Sequence, residues 1–275
     1  MFQRYLVLVT LFLFSPIFLI KTACATSAPI IYVHGVGISY HPFDYLVPLK
    51  RVFKEKGHTL FIARTPAVDS IQISGDDLWN EVQRLVPTGP FHLIGHSMGG
   101  LVARSMLARY DFKGRCLSLT TISTPHRGSK VADWALEFRQ DKRFAIDILE
   151  LVRKFYNDSW ATVAELTTKN MQEQFNVANQ NAIGVRYFSI ASYIPAPVMF
   201  YTQNPYIVIA HRVNTEAGFP LSDGPVAIPS AKWGEVLAII PSDHYANTAP
   251  IPFGGKIIYK DVIDIIVKNL EKNWP

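Results

Sequence analysis

Ser97 lies in Gly95-His96-Ser97-Met98-Gly99, the G-x-S-x-G spacing that sets a serine on a sharp turn. A serine hydroxyl is a weak nucleophile until a base stands beside it and backbone dipoles receive the charge it generates. The local sequence predicts the context this chemistry needs. An apolar strand-like run, Phe91 to Ile94, leads into the turn, and a helical pattern, Gly99 to Arg109, leaves it. Gly95 and Gly99 remove the Cβ atoms that such a strained turn would bring into collision. The hydroxyl is therefore expected at the carboxyl end of a sheet, over a helix N-terminus whose N–H groups can stabilise an oxyanion. The pentapeptide alone recurs by chance; its strand and helix, with the extra Gly100, make Ser97 the candidate nucleophile.

A serine of this kind needs a histidine, and the histidine needs a carboxylate. In the α/β-hydrolase order the acid follows the serine and the histidine follows the acid. After Ser97 the histidines are His126, His211 and His244. His126 comes too soon to leave an acid between. His211 would leave mainly the acids from Asp133 to Asp158. His244 leaves Asp223, in the tight turn Leu221-Ser222-Asp223-Gly224-Pro225, and itself follows the apolar run Val236 to Ile240. Asp223 is thus assigned as the orienting acid and His244 as the base. Asp243 adjoins His244, but neighbouring side chains point apart, so its expected role is to cap the loop. His34, His92 and His96 are read as local hydrogen-bonding groups, and His41 and His58 as surface residues. The strand Ile30 to Val33 ends in His34-Gly35-Val36-Gly37, a loop able to approach a substrate closely. Its Val36 N–H and that of Met98 are the expected oxyanion donors. No H-E-x-x-H and no Cys/His cluster with zinc spacing occurs, so neither a metal nor a cofactor is expected.

These groups need a scaffold of strands and helices in alternation. Strand patterns run over Ile30 to Val33, Thr59 to Ala63, Phe91 to Ile94, Leu117 to Ile122, Val185 to Ile190 and Val236 to Ile240. Helical patterns run over Phe43 to Lys56, Asp76 to Leu85, Gly99 to Arg109 and Tyr259 to Lys272. Arg64 to Gly75 and Ser192 to Tyr206 read as loops. The alternation implies an α/β fold, with a mostly parallel sheet and helices on both faces. Val131 to Phe175 breaks the rhythm with a long helical pattern in which Ile148, Leu151, Val152 and Phe155 recur. An insertion of about 131–180 over the site mouth is expected, either as a lid whose apolar face meets a lipid–water interface or as a fixed cap.

The bulk numbers bound the rest. The chain has 275 residues, 49% apolar and 18% charged, enough for one large domain with a sizeable core. Its formal charge is +5, and +3 without the first 25 residues, which hold Arg4 and Lys21. That mild, dispersed excess gives no block suited to nucleic acid. Arg4, the apolar stretch Tyr5 to Ile20 and Ala23-Cys24-Ala25 read as a signal peptide cleaved after Ala25. Export would leave residues 26–275 as one domain, secreted or periplasmic. Cys116 would then stand alone, inside an apolar strand pattern, as a buried core residue.

The stretches IIYVHGVG, FHLIGHSMGGLVAR, LTTISTPHRGSKVAD, ELTTKNMQEQFN, GVRYFSI, SDGPVAIPSAKWG and SDHYA run in order from Ile30 to Ala246. On them the chain resembles the secreted bacterial triacylglycerol lipases of the α/β-hydrolase superfamily, the group related to the Pseudomonas and Burkholderia lipases. The resemblance implies the α/β-hydrolase fold, Ser97 as nucleophile, Asp223 as acid, His244 as base, and Val36 and Met98 as oxyanion donors. It implies hydrolysis of lipid or other carboxylic esters. A lipid acyltransferase, a phospholipase or a short-chain esterase would use the same three side chains. The family commonly binds calcium through a carboxylate two residues after the histidine; Ala246 stands there, so a like site is not expected.

Overall fold

The computed structural model describes residues 27–35, 46–65, 70–139, 159–248 and 258–272. The expected signal peptide, Val36, His41 and residues 140–158 of the expected cap lie outside them. In chain order the main elements are β1 (Ile30–Val33), α1 (Val47–Glu55), β2 (Leu60–Ile62), α2 (Ile71–Leu85), β3 (Phe91–His96) and α3 (Met98–Arg109). They continue with β4 (Cys116–Ile122), α4 (Lys130–Phe138), α5 (Trp160–Glu165), β5 (Arg186–Tyr193), α6 (Pro205–Glu216), β6 (Glu235–Pro241) and α7 (Tyr259–Leu270).

The six strands form one sheet in the order β2-β1-β3-β4-β5-β6, and every neighbouring pair is parallel. Alternate side chains leave a strand on opposite faces, and both faces of the central strands are covered, while the edge strand β6 is largely exposed. Ile31, Val33 and Leu93 pack with Leu78 and Val82 of α2 and Leu101 and Val102 of α3. Ile30, Tyr32, Ile94, Ile122 and Ile190 pack on the other side with Val52 and Phe53 of α1 and Val262, Ile263 and Ile266 of α7. β1, buried at every position, is accordingly an unbroken apolar run, whereas β4 and β5 also bury Ser118, Thr120, Thr121 and Ser189.

The order reverses between β1 and β3, since β2 lies beyond β1 and all later strands lie beyond β3. Connections diverge from such a point and leave a crevice at the carboxyl ends of the two strands. Gly35 and Ser97 follow those ends. Val33 is in register with Gly95, His96 with Ile122, and Ile122 with Ile190. The residues just past β3, β4, β5 and β6 therefore gather along one edge.

Several local readings change. α2 begins at Ile71, inside the stretch expected to be a loop. The Ser70 hydroxyl accepts from the Ile73 N–H and caps it. Gly75 sits within the helix because α3 passes close by: a Cβ there would lie 3.2 Å from Ser105 Oγ. The loop expected up to Tyr206 ends early, at α6, where Asn204 caps and Pro205 takes the first turn. His58, expected on the surface, is buried. Its Nδ1 lies 3.2 Å from Ser27 Oγ, and its Nε2 lies 3.8 Å from Glu271. Cys116 is buried as expected, and burial pushes its thiol up.

The described flanks of the expected cap are packed, not free. Val131, Ala132 and Ala135 of α4, Val163 of α5, and Met171 and Phe175 of the helical stretch 168–178 join the α2–α3 core. Asp133 accepts from both the N–H and the hydroxyl of Thr168, tying α4 to that stretch. Arg104 of α3, also buried, donates to Asn176 Oδ1 and the Asn179 carbonyl and lies 3.7 Å from the Trp233 ring centre.

Candidate active site

The turn after β3 holds Ser97 at φ 54°, ψ −132°, in the half of conformational space that side chains rarely enter. Packing enforces it. A Cβ on residue 95 would lie 2.5 Å from Gly100 Cα, and one on residue 99 would lie 2.3 Å from the Val33 carbonyl oxygen. The turn is further held by the Ser97 N–H, which donates to Ile122 O, and by the Thr124 hydroxyl, which donates to Ser97 O. Gly35, the last described residue of its loop, runs directly against the serine: a Cβ on it would lie 2.7 Å from Ser97 Cβ. Met98 opens α3, so its N–H is one of the free donors of a helix start. Val36, the other expected donor, lies outside the described residues.

The structure brings Ser97, His244 and Asp223 together from the carboxyl side of the sheet. Ser97 Oγ lies 2.9 Å from His244 Nε2, and His244 Nδ1 lies 2.9 Å from Asp223 Oδ2. A carboxylate can only accept, so Nδ1 carries the proton and Nε2 is left to accept from the serine. Asp223 and His244 are almost wholly buried. The two loops are also joined through the main chain, His244 N–H donating to Asp223 O. The Asp223 turn closes on itself: its N–H donates to Val226 O, and its Oδ1 accepts from Val226 N–H.

The other polar residues divide between loop-building and packing. Asp243 accepts from the N–H groups of Tyr245 and Ala246, the capping role expected of it, and burial raises its carboxyl. His96 Nε2 donates to the His244 carbonyl at 2.9 Å. Burial, then the nearby His244, hold His96 well below the usual histidine range, so it is neutral. His34 is lowered by burial and bonds to Gly35 O. His126 is buried between Thr121 Oγ1 and Arg104. His211 Nδ1 meets Ser222 Oγ beside the acid turn.

Three residues that the sequence did not single out stand behind Asp223. Ser192 donates to Asp223 Oδ2 at 3.2 Å, Ser123 lies 2.6 Å from Ser192, and Asn247 reaches both hydroxyls. Among the described residues no group of three or more His, Cys, Asp or Glu side chains is arranged to hold a metal ion. The geometry can remove a proton from Ser97, hold the resulting imidazolium against a carboxylate, and offer helix N–H groups to an oxyanion.

Comparison with known proteins places these features in a wider group. Residues 73–180 match the family described as alpha/beta hydrolase fold. Triacylglycerol lipase 2 of Saccharomyces cerevisiae is 32% identical over 203 residues, covering 70% of this chain and 58% of that protein. A triacylglycerol lipase of Pseudarthrobacter phenanthrenivorans is 34% identical over 122 residues, covering 41% of this chain and 38% of that one. The chain thus spans less than two thirds of the length of either relative. The crystal structure of Bacillus licheniformis lipase BlEst2 in mature form superposes with a TM-score of 0.69 at 17% identity, covering 90% of this chain and 92% of that one. The metagenomic carboxyl esterase MGS0156 gives a TM-score of 0.67 at 16% identity, over 91% and 77% of the two chains.

Proposed function

The chain has the α/β-hydrolase fold, and from that premise we propose that it is an exported serine hydrolase of carboxylic esters, with triacylglycerols as its substrates. One observation carries the reading: the continuous line from Asp223 Oδ2 through the His244 ring to Ser97 Oγ, with 2.9 Å at each junction. The names of the yeast and bacterial relatives support the choice of a lipid ester.

In this mechanism Ser97 Oγ attacks the ester carbonyl carbon while its proton passes to His244 Nε2. Asp223 accepts from Nδ1–H throughout and stabilises the imidazolium without taking the proton. The carbonyl oxygen gains the negative charge and accepts from the N–H groups of Met98 and Val36. Collapse expels the alcohol, which takes the proton from Nε2 and leaves an acyl group on Ser97. Water then attacks the acyl-enzyme, giving one proton to His244. The second collapse frees the fatty acid and returns that proton to Ser97. Export rests on the sequence pattern of residues 1–25.

The test is an ester series from acetate to palmitate, run on the wild type and on Ser97→Ala. The wild type should hydrolyse the series with a preference for long acyl chains, and the variant should lose roughly three or more orders of magnitude in turnover. Near-normal hydrolysis by the variant would overturn the mechanism, and activity confined to acetate would overturn the lipid assignment.

A further inference from the structure

Ser123 and Ser192 sit at the same sheet edge as Ser97, at the ends of β4 and β5. Ser123 is held there at φ 50°, in the left-handed region, with its N–H on Ile190 O. Such a conformation is costly for a residue with a side chain and points to a placement that the surroundings enforce. All three partners in this corner, Ser123, Ser192 and Asn247, are buried at 0–1% exposure.

Their hydrogens can be ordered by elimination. Asp223 only accepts, so Ser192 O–H donates to Oδ2, the oxygen that also accepts from His244. Ser192 Oγ must then accept from its other two neighbours, Asn247 Nδ2 at 2.9 Å and Ser123 O–H at 2.6 Å. Ser123 Oγ in turn accepts the second Asn247 N–H, at 2.8 Å. Every donor in the corner is aimed toward the carboxylate. Asn247 Oδ1 is left with no partner among the described residues. Turning that amide over would place its oxygen against Ser192 Oγ, whose proton is already committed, so the directed arrangement keeps the amide as it is. Asn247 is also three residues after His244, so the same side chain ties the base's loop to the acid's supports.

We propose that Asn247, Ser123 and Ser192 are positioning residues, a one-directional hydrogen-bond chain that fixes the Asp223 carboxylate where its Oδ2 meets His244 Nδ1. This rests on the hydrolase reading above. The chain does two things. It holds the Asp223 side chain in one rotamer, and it turns hydroxyl dipoles toward the charge that His244 must balance. Removing the Ser192 hydroxyl removes a positive dipole end near the imidazole, which favours the protonated ring. The other titratable groups around the pair are His96 from β3, His34 from the end of β1, His211 from α6 and Asp243 beside the base. All are retained in the variants below, so they do not produce the expected shift.

The experiment measures kcat, KM and the pH profile of kcat/KM for ester hydrolysis in wild type, Ser192→Ala, Ser192→Thr and Asn247→Asp. Ser192→Ala is expected to lower kcat by about tenfold with KM held, and to move the acid limb of kcat/KM to higher pH. Ser192→Thr keeps the hydroxyl and should restore both. Asn247→Asp replaces a donor with an anion and should shift the limb further than Ser192→Ala. Ser123→Ala, one bond more distant, should give the same signature at smaller size, and stands in if Ser192→Ala fails to fold. The proposal is overturned if kcat and the acid limb of Ser192→Ala and Asn247→Asp match wild type. It is equally overturned if Ser192→Thr falls as far as Ser192→Ala with the limb unmoved, the result of lost packing alone. If the wild type itself neither hydrolyses esters nor reacts with a fluorophosphonate, the hydrolase reading fails instead.

Discussion

His96 holds the main chain of His244: its Nε2 lies 2.9 Å from the His244 carbonyl oxygen, and the two rings lie 4.9 Å apart. The residue before the nucleophile thus anchors the loop of the proposed base. His96→Leu removes this donor from a buried carbonyl, a cost of about 1–3 kcal/mol. The expected outcome is a lower melting temperature with a reduced kcat, while His96→Gln, which keeps a donor, retains most of both. Steady-state kinetics beside thermal melts of the two variants checks this; equal losses in both would contradict it.

The fold keeps several histidines neutral. Burial holds His96 and His126 well below 6.5, and lowers His92 to about 4 with some help from His58. The unfolded chain takes up protons below about pH 6.5 while these sites do not, so it binds more protons than the native state. Stability present above pH 6.5 is therefore lost as pH falls, by up to about 2 kcal/mol per histidine between pH 7 and 5. Glu165 and Asp243, whose carboxyls are raised by burial, act in the opposite direction. Urea unfolding at pH 7.5 and 5.5 should give a clearly lower midpoint at 5.5. Equal midpoints would contradict the neutral assignment.

Gly99 separates a steric requirement from a conformational one. A Cβ there would meet two backbone oxygens, Val33 O at 2.3 Å and His34 O at 2.4 Å, which no side-chain rotation relieves. Gly89, at φ 81°, has nothing within 4 Å of such a Cβ. Gly99→Ala should cost about 3 kcal/mol or more and abolish ester hydrolysis, whereas Gly89→Ala should cost only about 1–2 kcal/mol and leave kcat intact. Denaturant titration and kinetics of both variants decide it; a mild Gly99→Ala would contradict the packed turn.

The legible features were those carried by local pattern. β1 and the start of β3, on either side of the crevice, read as apolar runs because both faces of the sheet are covered there. Asp223 and His244 could be paired because chain order left few alternatives. Features built by distant contacts were not legible. His58 is buried, and the partners of its two ring nitrogens, Ser27 and Glu271, are distant in sequence on either side. Gly75 looked like a loop residue, and only its contact with α3 explains it inside a helix. Ser123, Ser192 and Asn247 carry no spacing signal, since sheet register alone brings strand ends together. The start of α6 does carry a local signal, Asn204 before Pro205, obscured by the prolines preceding it.

The proposed mechanism requires that Ser97 be the residue acylated. It is tested most directly by treating the protein with a fluorophosphonate and locating the adduct by peptide mass spectrometry, in wild type and in His244→Ala. One equivalent of label is expected on Ser97 in the wild type, with labelling slowed by orders of magnitude in His244→Ala. Label on another residue, or hydrolysis that persists after Ser97 is fully blocked, would contradict it.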